Sequence, residues 1–392
     1  MSQGFPTQRA EKRRALLEAV ERVRETLTIG ADEAEALTTL PAATVEALAT
    51  AGLFALKLPT VLGGAEADPV TQLEVIEAVT YIDASAGWCT MIGAGSLGLL
   101  GSFLADEAIA QIFVDGHVPT TAGVVRPTGT AVPVDGGYRV SGRWPFASGI
   151  RHAQWLAAGT LVHHEASGPP ERCMAVFPTT AAQVHDNWQV AGLQGTGSCD
   201  FSVVDLFVPE AFVWHLVHAQ PQRGGPLYHL GWPGFVANEH AAFALGIGRR
   251  ALDALIELAQ AKRRGFGQPN ALAARPAVQR AVGEGELRLR AARALACEIF
   301  EEAWTTVCAG HPPPPRLQAA MRSVATLTTE VAVDVTTCAF RYTGGTALYL
   351  PHILQRCLRD INAAAQHLMV SDVAYENYGQ FLLGLPNANP MG

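Results

Sequence analysis

Residues 354–369 run Leu354-Gln-Arg-Cys-Leu-Arg-Asp-Ile-Asn-Ala-Ala-Ala-Gln-His-Leu-Met369, and they follow Phe340-Arg-Tyr-Thr-Gly-Gly-Thr-Ala-Leu-Tyr349. The spacing predicts a glycine break and then a helix from Pro351 to Val370. That helix carries Arg359, Asp360, Asn362, Gln366 and His367 among small and apolar neighbours. Polar groups in such company are costly to bury without partners, so chemistry is expected here. On a continuous helix Asp360, Ala363 and His367 share one face. An imidazole titrates near neutral pH and can take a proton or donate a hydrogen bond. Met in isolation, His367 reads first as a core histidine satisfied by Asp360 or by backbone. Asp360 beside Arg359 likewise reads as a structural ion pair before it reads as an acid.

Working outward, helical period marks Val236–Ala261, Pro276–Val307 and Gln318–Arg341, with Gly310–Pro315 as a proline-rich connector. Residues 116 to about 215 have a β texture. Val132–Val140 is a hairpin signal, and Gln154–Val162, Cys173–Pro178 and Phe201–Val208 are further strands, with a turn at Ser167–Pro170. The N-terminal part is helical: Arg9–Leu27, Pro41–Ala51, Pro69–Ile82, Ser85–Phe103 and Asp106–Phe113. The order implies three domains, 1–115 helical, 116–225 β and 226–392 helical, in an α+β class with segregated layers.

The chain has 392 residues, 49% apolar and 16% charged, which suits a globular protein with sizeable cores. A net charge of −8 leaves no basic footprint for nucleic acid. The cysteines at 89, 173, 199, 297, 308, 338 and 357 form no CxxC pair and fit reduced thiols in a cytoplasmic protein. Ala84–Leu104 is apolar but holds five glycines and three serines, so it reads as a packed helix and not a membrane span. No secretory signal is visible, and no GxGxxG or histidine-rich motif points to a nicotinamide or metal site.

Four motifs in order then carry a resemblance over nearly the whole chain. They are Gly142-Arg-Trp-Pro-Phe-Ala-Ser-Gly149 with His152-Ala-Gln-Trp155; Gly192-Leu-Gln-Gly-Thr-Gly-Ser198 with Val203–Pro209 and Glu210; Arg341–Gly345; and Arg359–His367 with Tyr375–Gly384. Together they resemble the acyl-CoA dehydrogenase superfamily, and within it the oxygenase components of two-component flavin monooxygenases. The resemblance implies an N-terminal helical domain, a middle β-barrel-like domain and a C-terminal four-helix bundle. It also implies a homotetramer, and FAD or FMN arriving reduced from a separate flavin reductase. The implied activity is oxygenation of a small aromatic or amine substrate through a C4a-hydroperoxide of the flavin. The alternative is an FAD-dependent acyl-CoA dehydrogenase with Glu239 as base and His240 beside it. Dehydrogenases usually carry a TEP..GSD stretch and a WITN stretch. The corresponding Thr121–Thr130 and Trp144–Ser148 carry neither, which favours oxygenation.

For site residues the resemblance implies His367 and Ser148 in the chemistry. Trp144, Phe146, Ser148, Thr196, Ser198, Arg263, Gly344, Gly345 and Gln366 would hold the flavin. Each also has a plain reading. Ser148 can be a turn serine, and Trp144 and Trp155 an aromatic wall or a core pair. Thr196 and Ser198 form a hydroxyl-rich loop or a strand-ending turn. Arg263, with Arg264 as its substitute, can grip phosphate or complement a helix end, three residues before Phe266-Gly267. Gly344 and Gly345 allow close backbone approach to a ligand or cap a helix, with Thr346 following. Gln366 stands where many dehydrogenases place their glutamate, and an amide takes no proton.

Overall fold

The computed structural model describes residues 4–162, 169–216, 219–264 and 270–391. His163, His164, Ser167 and the Phe266-Gly267 pair fall outside those residues, as does the side chain of Arg264.

Helix α1 (Arg9–Leu37) continues well past Leu27 because Gly30, Ala31 and Ala34 extend its buried stripe, and it stops at Thr38 in the left-handed region (φ 52°). α2 (Ala42–Thr50) follows, and Gly52 (φ 74°) turns the chain out of it. α3 (Pro69–Ile82) has the bounds its sequence predicts, since its start is written locally. Asp68 accepts the N–H groups of Val70 and Thr71, and Pro69 takes the first helical position. Asp83 does the same for α4 (Ala84–Phe103), accepting from Ser85 and Ala86. α5 (Asp106–Ile112) closes the N-terminal helices. Among the described residues no helix is long and apolar enough to cross a membrane.

The β region folds into β1 (Thr121–Val134), β2 (Gly137–Trp144), β3 (Trp155–Val162), β4 (Glu171–Pro178), β5 (Gln183–Val184), β6 (Phe201–Pro209) and β7 (Val213–His215). They form one sheet in the order β5-β6-β2-β1-β3-β4-β7. The predicted hairpin joins β1 to β2, with Val134 opposite Gly137 and Gly136 (φ 73°) in the turn. β1 and β3 run parallel, and their register shifts between Val124 and Gly129.

Trp144 is fully buried in this sheet's core. Its indole stacks on Phe201 at 5.0 Å and donates to the Gly159 carbonyl at 2.6 Å. Glycines make the room: a Cβ at Gly129 would lie 2.1 Å from the indole, and one at Gly142 2.8 Å from it. The side chain is therefore enclosed packing with its polar atom used, which corrects its expected part in a flavin-facing wall. Trp155 stacks on Phe212 at 5.7 Å.

The C-terminal helices are α6 (Gly231–Ala261), α7 (Pro276–Cys308), α8 (Pro315–Thr343), α9 (Ile353–Ala364) and α10 (Val373–Leu382); β8 (Arg263–Arg264) and β9 (Asn270–Ala271) pair after α6. α6 starts five residues before the expected Val236, admitting Pro233 in its first turn. The fold is the expected α+β arrangement: helices, one sheet, then a bundle of long helices.

Compactness divides the chain into two units. One comprises Met1–Ala67, Trp88–Gln189 and Gln194–Tyr228; the other comprises Asp68–Gly87, Val190–Leu193 and His229–Gly392. α3 falls in the second unit because it packs on α6. A Cβ at Gly246 would lie 2.7 Å from the Glu77 carbonyl, and Asn238 Nδ2 donates to the Pro69 carbonyl (3.1 Å) and to Gln72 (2.8 Å). Arg293 on α7 adds bonds to Glu77 and Glu74.

The helix predicted from Pro351 to Val370 is shorter than expected, and this is a correction. α9 ends at Ala364. Gln366 and His367 close it with N–H bonds to the carbonyls three residues back, and His367 itself is extended (φ −74°, ψ 138°). Asp360 and His367 do not share a helix face. The downstream chain is pulled away by α8, where Ser323 Oγ donates to the Ala374 carbonyl and Thr326 Oγ1 to the Ser371 carbonyl.

Gly344 ends α8 at φ 68°, ψ −154°, a region that only glycine enters at ease. Gly344→Ala is expected to lower stability by ~1–3 kcal/mol in urea titrations. Gly345→Ala, whose Cβ would meet nothing within 4 Å, is expected to be nearly neutral.

Candidate functional site

In the first unit, the loop after β2 and the loop before β6 are stitched together by backbone. Ala147 N–H donates to the Cys199 carbonyl (3.2 Å), and Gly149 N–H donates to the Thr196 carbonyl (2.9 Å). That stitching sets three predicted residues in a row. Ser148 Oγ is 2.8 Å from Ser198 Oγ, which is 2.7 Å from Thr196 Oγ1. All three are buried. Trp88 of α4 donates its indole N–H to Ser148 Oγ at 2.9 Å, and Cys89 Sγ meets the Thr196 carbonyl.

A hydroxyl has one proton to give and two lone pairs to offer. Trp88 fills one lone pair of Ser148, so Ser148 is left with its proton and one lone pair. If the protons run from Thr196 towards Ser148, Ser148 donates outward; in the opposite sense it accepts. The row can therefore present either polarity to a ligand atom.

Phe146 stands beside this row on a strained backbone (φ 64°), is 69% exposed, and meets Trp188 edge-on at 6.2 Å. A large aromatic face held in the open by a left-handed residue suits contact with a planar ligand. Trp88 was not foreseen. The signal was present, since a buried indole N–H needs a partner and Trp88 is an isolated polar-tipped ring in a run of small residues.

In the second unit, α6 buries Asn238, Glu239 and His240 in succession. The His240 ring stacks on His367 at 4.3 Å with 30° between planes. His367 caps the turn Leu368–Val370, and its Nδ1 accepts the Met369 N–H at 3.3 Å. Burial lowers its pKa from 6.5 to about 4, so the ring is neutral at pH 7. A neutral imidazole that accepts at Nδ1 carries its proton on Nε2. His367 is thus a hydrogen-bond donor at Nε2.

The other predicted residues of this unit are not gathered around that pair. Asp360 accepts the Leu193 N–H at 2.6 Å. It borders a cavity of about 20 Å³, room for a single water. Arg359 donates to Gln355 and to the Ala191 carbonyl, both at 2.7 Å. Asn362 is exposed and bonds the Leu358 carbonyl; Gln366 is exposed and bonds Asn362 O at 3.4 Å. Past α6, Lys262 Nζ donates to the Thr343 carbonyl at 3.1 Å and to Thr346 Oγ1, so a cation is tied to the Gly344–Gly345 turn. Arg263 follows it, exposed, on β8. In sequence nothing sets Lys262 apart from the two arginines that follow it; only the contact with the Thr343 carbonyl does.

His152 in the first unit is likewise lowered by burial to about 4, and His352 is lowered by burial and by the nearby Lys262 charge. An unfolded chain takes up protons that the folded His152 and His367 imidazoles refuse. The stability tied to their neutral forms is full above pH 6.5 and is lost as pH falls from 6.5 towards 4. Urea titrations at pH 7 and pH 5 are expected to show that loss. His367→Gln and His152→Gln are each expected to reduce it; an unchanged loss in the double variant would assign the acid sensitivity to other groups.

Comparison with known proteins agrees with this architecture. The acyl-CoA dehydrogenase N-terminal domain family matches residues 10–108 and its C-terminal domain family matches residues 239–372. The chain is 34% identical over 343 residues to an indole-3-acetate monooxygenase of Pseudomonas putida, covering 87% of this chain and 86% of that one. It is 28% identical to the flavin-dependent monooxygenase oxygenase subunit HsaA of Mycobacterium tuberculosis, over 96% of this chain and 97% of that one. Among solved structures, XiaF from Streptomyces sp., in complex with FADH2 and glycerol, superposes with a TM-score of 0.88 at 26% identity, covering 96% of each chain. The chain is an oxidoreductase that belongs to the acyl-CoA dehydrogenase family, in its flavin-dependent monooxygenase branch.

Proposed function

We propose that this protein is the oxygenase component of a two-component system. It receives reduced FAD or FMN from a separate reductase and places one atom of O2 on a small aromatic substrate. The other oxygen atom leaves as water, and reduced flavin provides the two electrons. The observation that carries this reading is the state of His367: half-buried, neutral at pH 7, and accepting the Met369 N–H at Nδ1, which assigns its proton to Nε2. Family membership supports it, as do the names of the relatives. Glu239 as the base of an acyl-CoA dehydrogenase has no counterpart among those relatives' named activities.

Each unit, taken by itself, offers groups that fit parts of a flavin. Ser148, Thr196 and Ser198 offer a row of hydroxyls of either polarity to a ring heteroatom, and Phe146 offers an exposed aromatic face. Gly345, with open space where a Cβ would be, lets a ligand approach backbone, and Lys262 and Arg263 bring positive charge near the same turn for phosphate. Gln366 is exposed and free to turn towards a ligand at its amide oxygen. Bound reduced flavin supplies the oxygen-activating chemistry.

The protein's part is then to hold and to donate. Ser148 would hold an edge of the ring, with Trp88 fixing Ser148. His367 gives a hydrogen bond from Nε2 at neutral pH, where an imidazolium would instead bring a full charge.

The branch assembles as a homotetramer in this reading. The exposed run Leu348 (71%), Tyr349 (73%) and Leu350 (72%) supports a subunit contact on the bundle. Seven free cysteines support a reducing, cytoplasmic setting, and the net charge of −8 offers no basic footprint for nucleic acid.

The test is to mix the protein anaerobically with reduced FMN or FAD and a panel of indoles and phenols, then admit ¹⁸O2. Product carrying one labelled atom is expected. Unlabelled product, or turnover only with an acyl-CoA, would overturn the reading. His367→Ala is expected to slow oxygenation roughly 10²-fold and divert electrons to hydrogen peroxide while flavin still binds. Ser148→Ala is expected to weaken flavin binding by ~1–2 kcal/mol. Trp144→Phe is expected to lower stability by ~1–3 kcal/mol and leave flavin affinity unchanged, as befits a core residue.

A further inference from the structure

Arg322 on α8 is 4% exposed. Its Nη2 donates to the Leu368 carbonyl at 3.0 Å, and its Nη1 donates to the Met391 carbonyl at 2.8 Å. The Leu368 carbonyl and the Met369 N–H belong to one peptide group. That N–H is the one donated to His367 Nδ1 at 3.3 Å. Guanidinium, peptide and imidazole thus stand in line, each bonded to the next.

We propose that Arg322 is a positioning residue for His367: acting through the Leu368–Met369 peptide, it keeps Nδ1 as an acceptor and the imidazole proton on Nε2. This rests on His367 serving as the donor in the proposed activity, and it names what fixes that role.

The physical argument is polarisation. A cation at a carbonyl oxygen draws electron density out of the amide, which makes the N–H of the same peptide a stronger donor. A stronger donor at Nδ1 stabilises the tautomer in which Nδ1 has a lone pair, and opposes adding a proton there. A guanidinium stays charged at any working pH, so the bias is permanent. Its planar fork also reaches two carbonyls at once, which an ammonium on a flexible stem does less well. Ser323 and Thr326, on the same helix, bond the Ala374 and Ser371 carbonyls and keep the turn from drifting off the arginine. From the opposite helix α6, the stacked His240 ring holds the imidazole plane.

The test reads the tautomer directly, in full-length protein without flavin or substrate, so its outcome is separate from that of the monooxygenase reading. Solid-state ¹⁵N NMR is recorded on [¹⁵N]histidine-labelled protein at pH 7, and the His367 signals are isolated by difference against His367→Gln. The native protein is expected to show a protonated Nε2 and an unprotonated Nδ1. In Arg322→Met that signature is expected to be lost to a mixture of tautomers. Arg322→Lys, which keeps charge and one donor, is expected to retain most of it; Arg322→Gln, which keeps a donor but no charge, is expected to lose it and stands in if Arg322→Met fails to fold. A native Nδ1–H tautomer, or a signature unchanged in a folded Arg322→Met protein, would falsify the proposal. In kinetics, Arg322→Met or Arg322→Gln is expected to lower product formed per flavin oxidised while leaving substrate KM unchanged, and Arg322→Lys to keep most of that ratio. A purely structural loss would instead lower the active fraction and keep that ratio.

Discussion

A hydroxyl or an imidazole withdrawn from water must find hydrogen-bond partners, or its burial costs about 1–3 kcal/mol per group. That requirement shapes both polar clusters of this chain. Ser148, Ser198 and Thr196 are buried because each satisfies the next and because Trp88 supplies a donor at one end. His367 is half-buried, with the Met369 N–H filling its Nδ1. In each case the partner also decides which protons are left to offer. Structural satisfaction and chemical presentation are therefore the same set of bonds, and neither could be altered without the other.

How far the sequence showed this depends on where the deciding contacts lie. Asp68 and Pro69 start α3 through bonds no more than three residues long, and its bounds are legible from sequence. The hairpin at Val134–Gly137 is equally local. The end of α9 is not. Ala363, Ala364 and Ala365 are strong helix formers, and periodicity carries a helix through them. What stops it are Ser323 and Thr326, tens of residues upstream on α8, holding the carbonyls of Ala374 and Ser371. Tertiary bonds outweighed propensity there, and His367 was placed on a helix face it does not occupy.

Trp144 shows a different limit. Its nearness in sequence to Ser148 suggested a shared role, but β2 ends at Trp144 and Ser148 lies in the loop beyond it. The side chain's destination was set by Gly129, on the neighbouring strand, and by Phe201. Phe146, two residues on, turns outward through a left-handed backbone that no propensity scale anticipates. The motif located the right loop; only the pairing of strands could say which of its rings is core and which is presented. Trp88 and Arg322 escaped for the same reason, since each acts on a residue at least 46 positions away.

The distinction between oxygenation and dehydrogenation also comes down to proton bookkeeping. Removing a proton α to a thioester needs a base with an open lone pair, and a carboxylate serves well. His367 cannot serve in the tautomer that its Nδ1 contact assigns. Its Nδ1 is occupied, its Nε2 already carries hydrogen, and burial keeps it from becoming a cation until about pH 4. To act as a base it would first have to break the Met369 bond, against the charge that Arg322 places on that peptide. A residue so constrained can donate a hydrogen bond steadily across the physiological range. A steady donor of that kind is what the proposed reading asks of His367, and the helix end, the capping geometry and the buried Arg322 all bear on it.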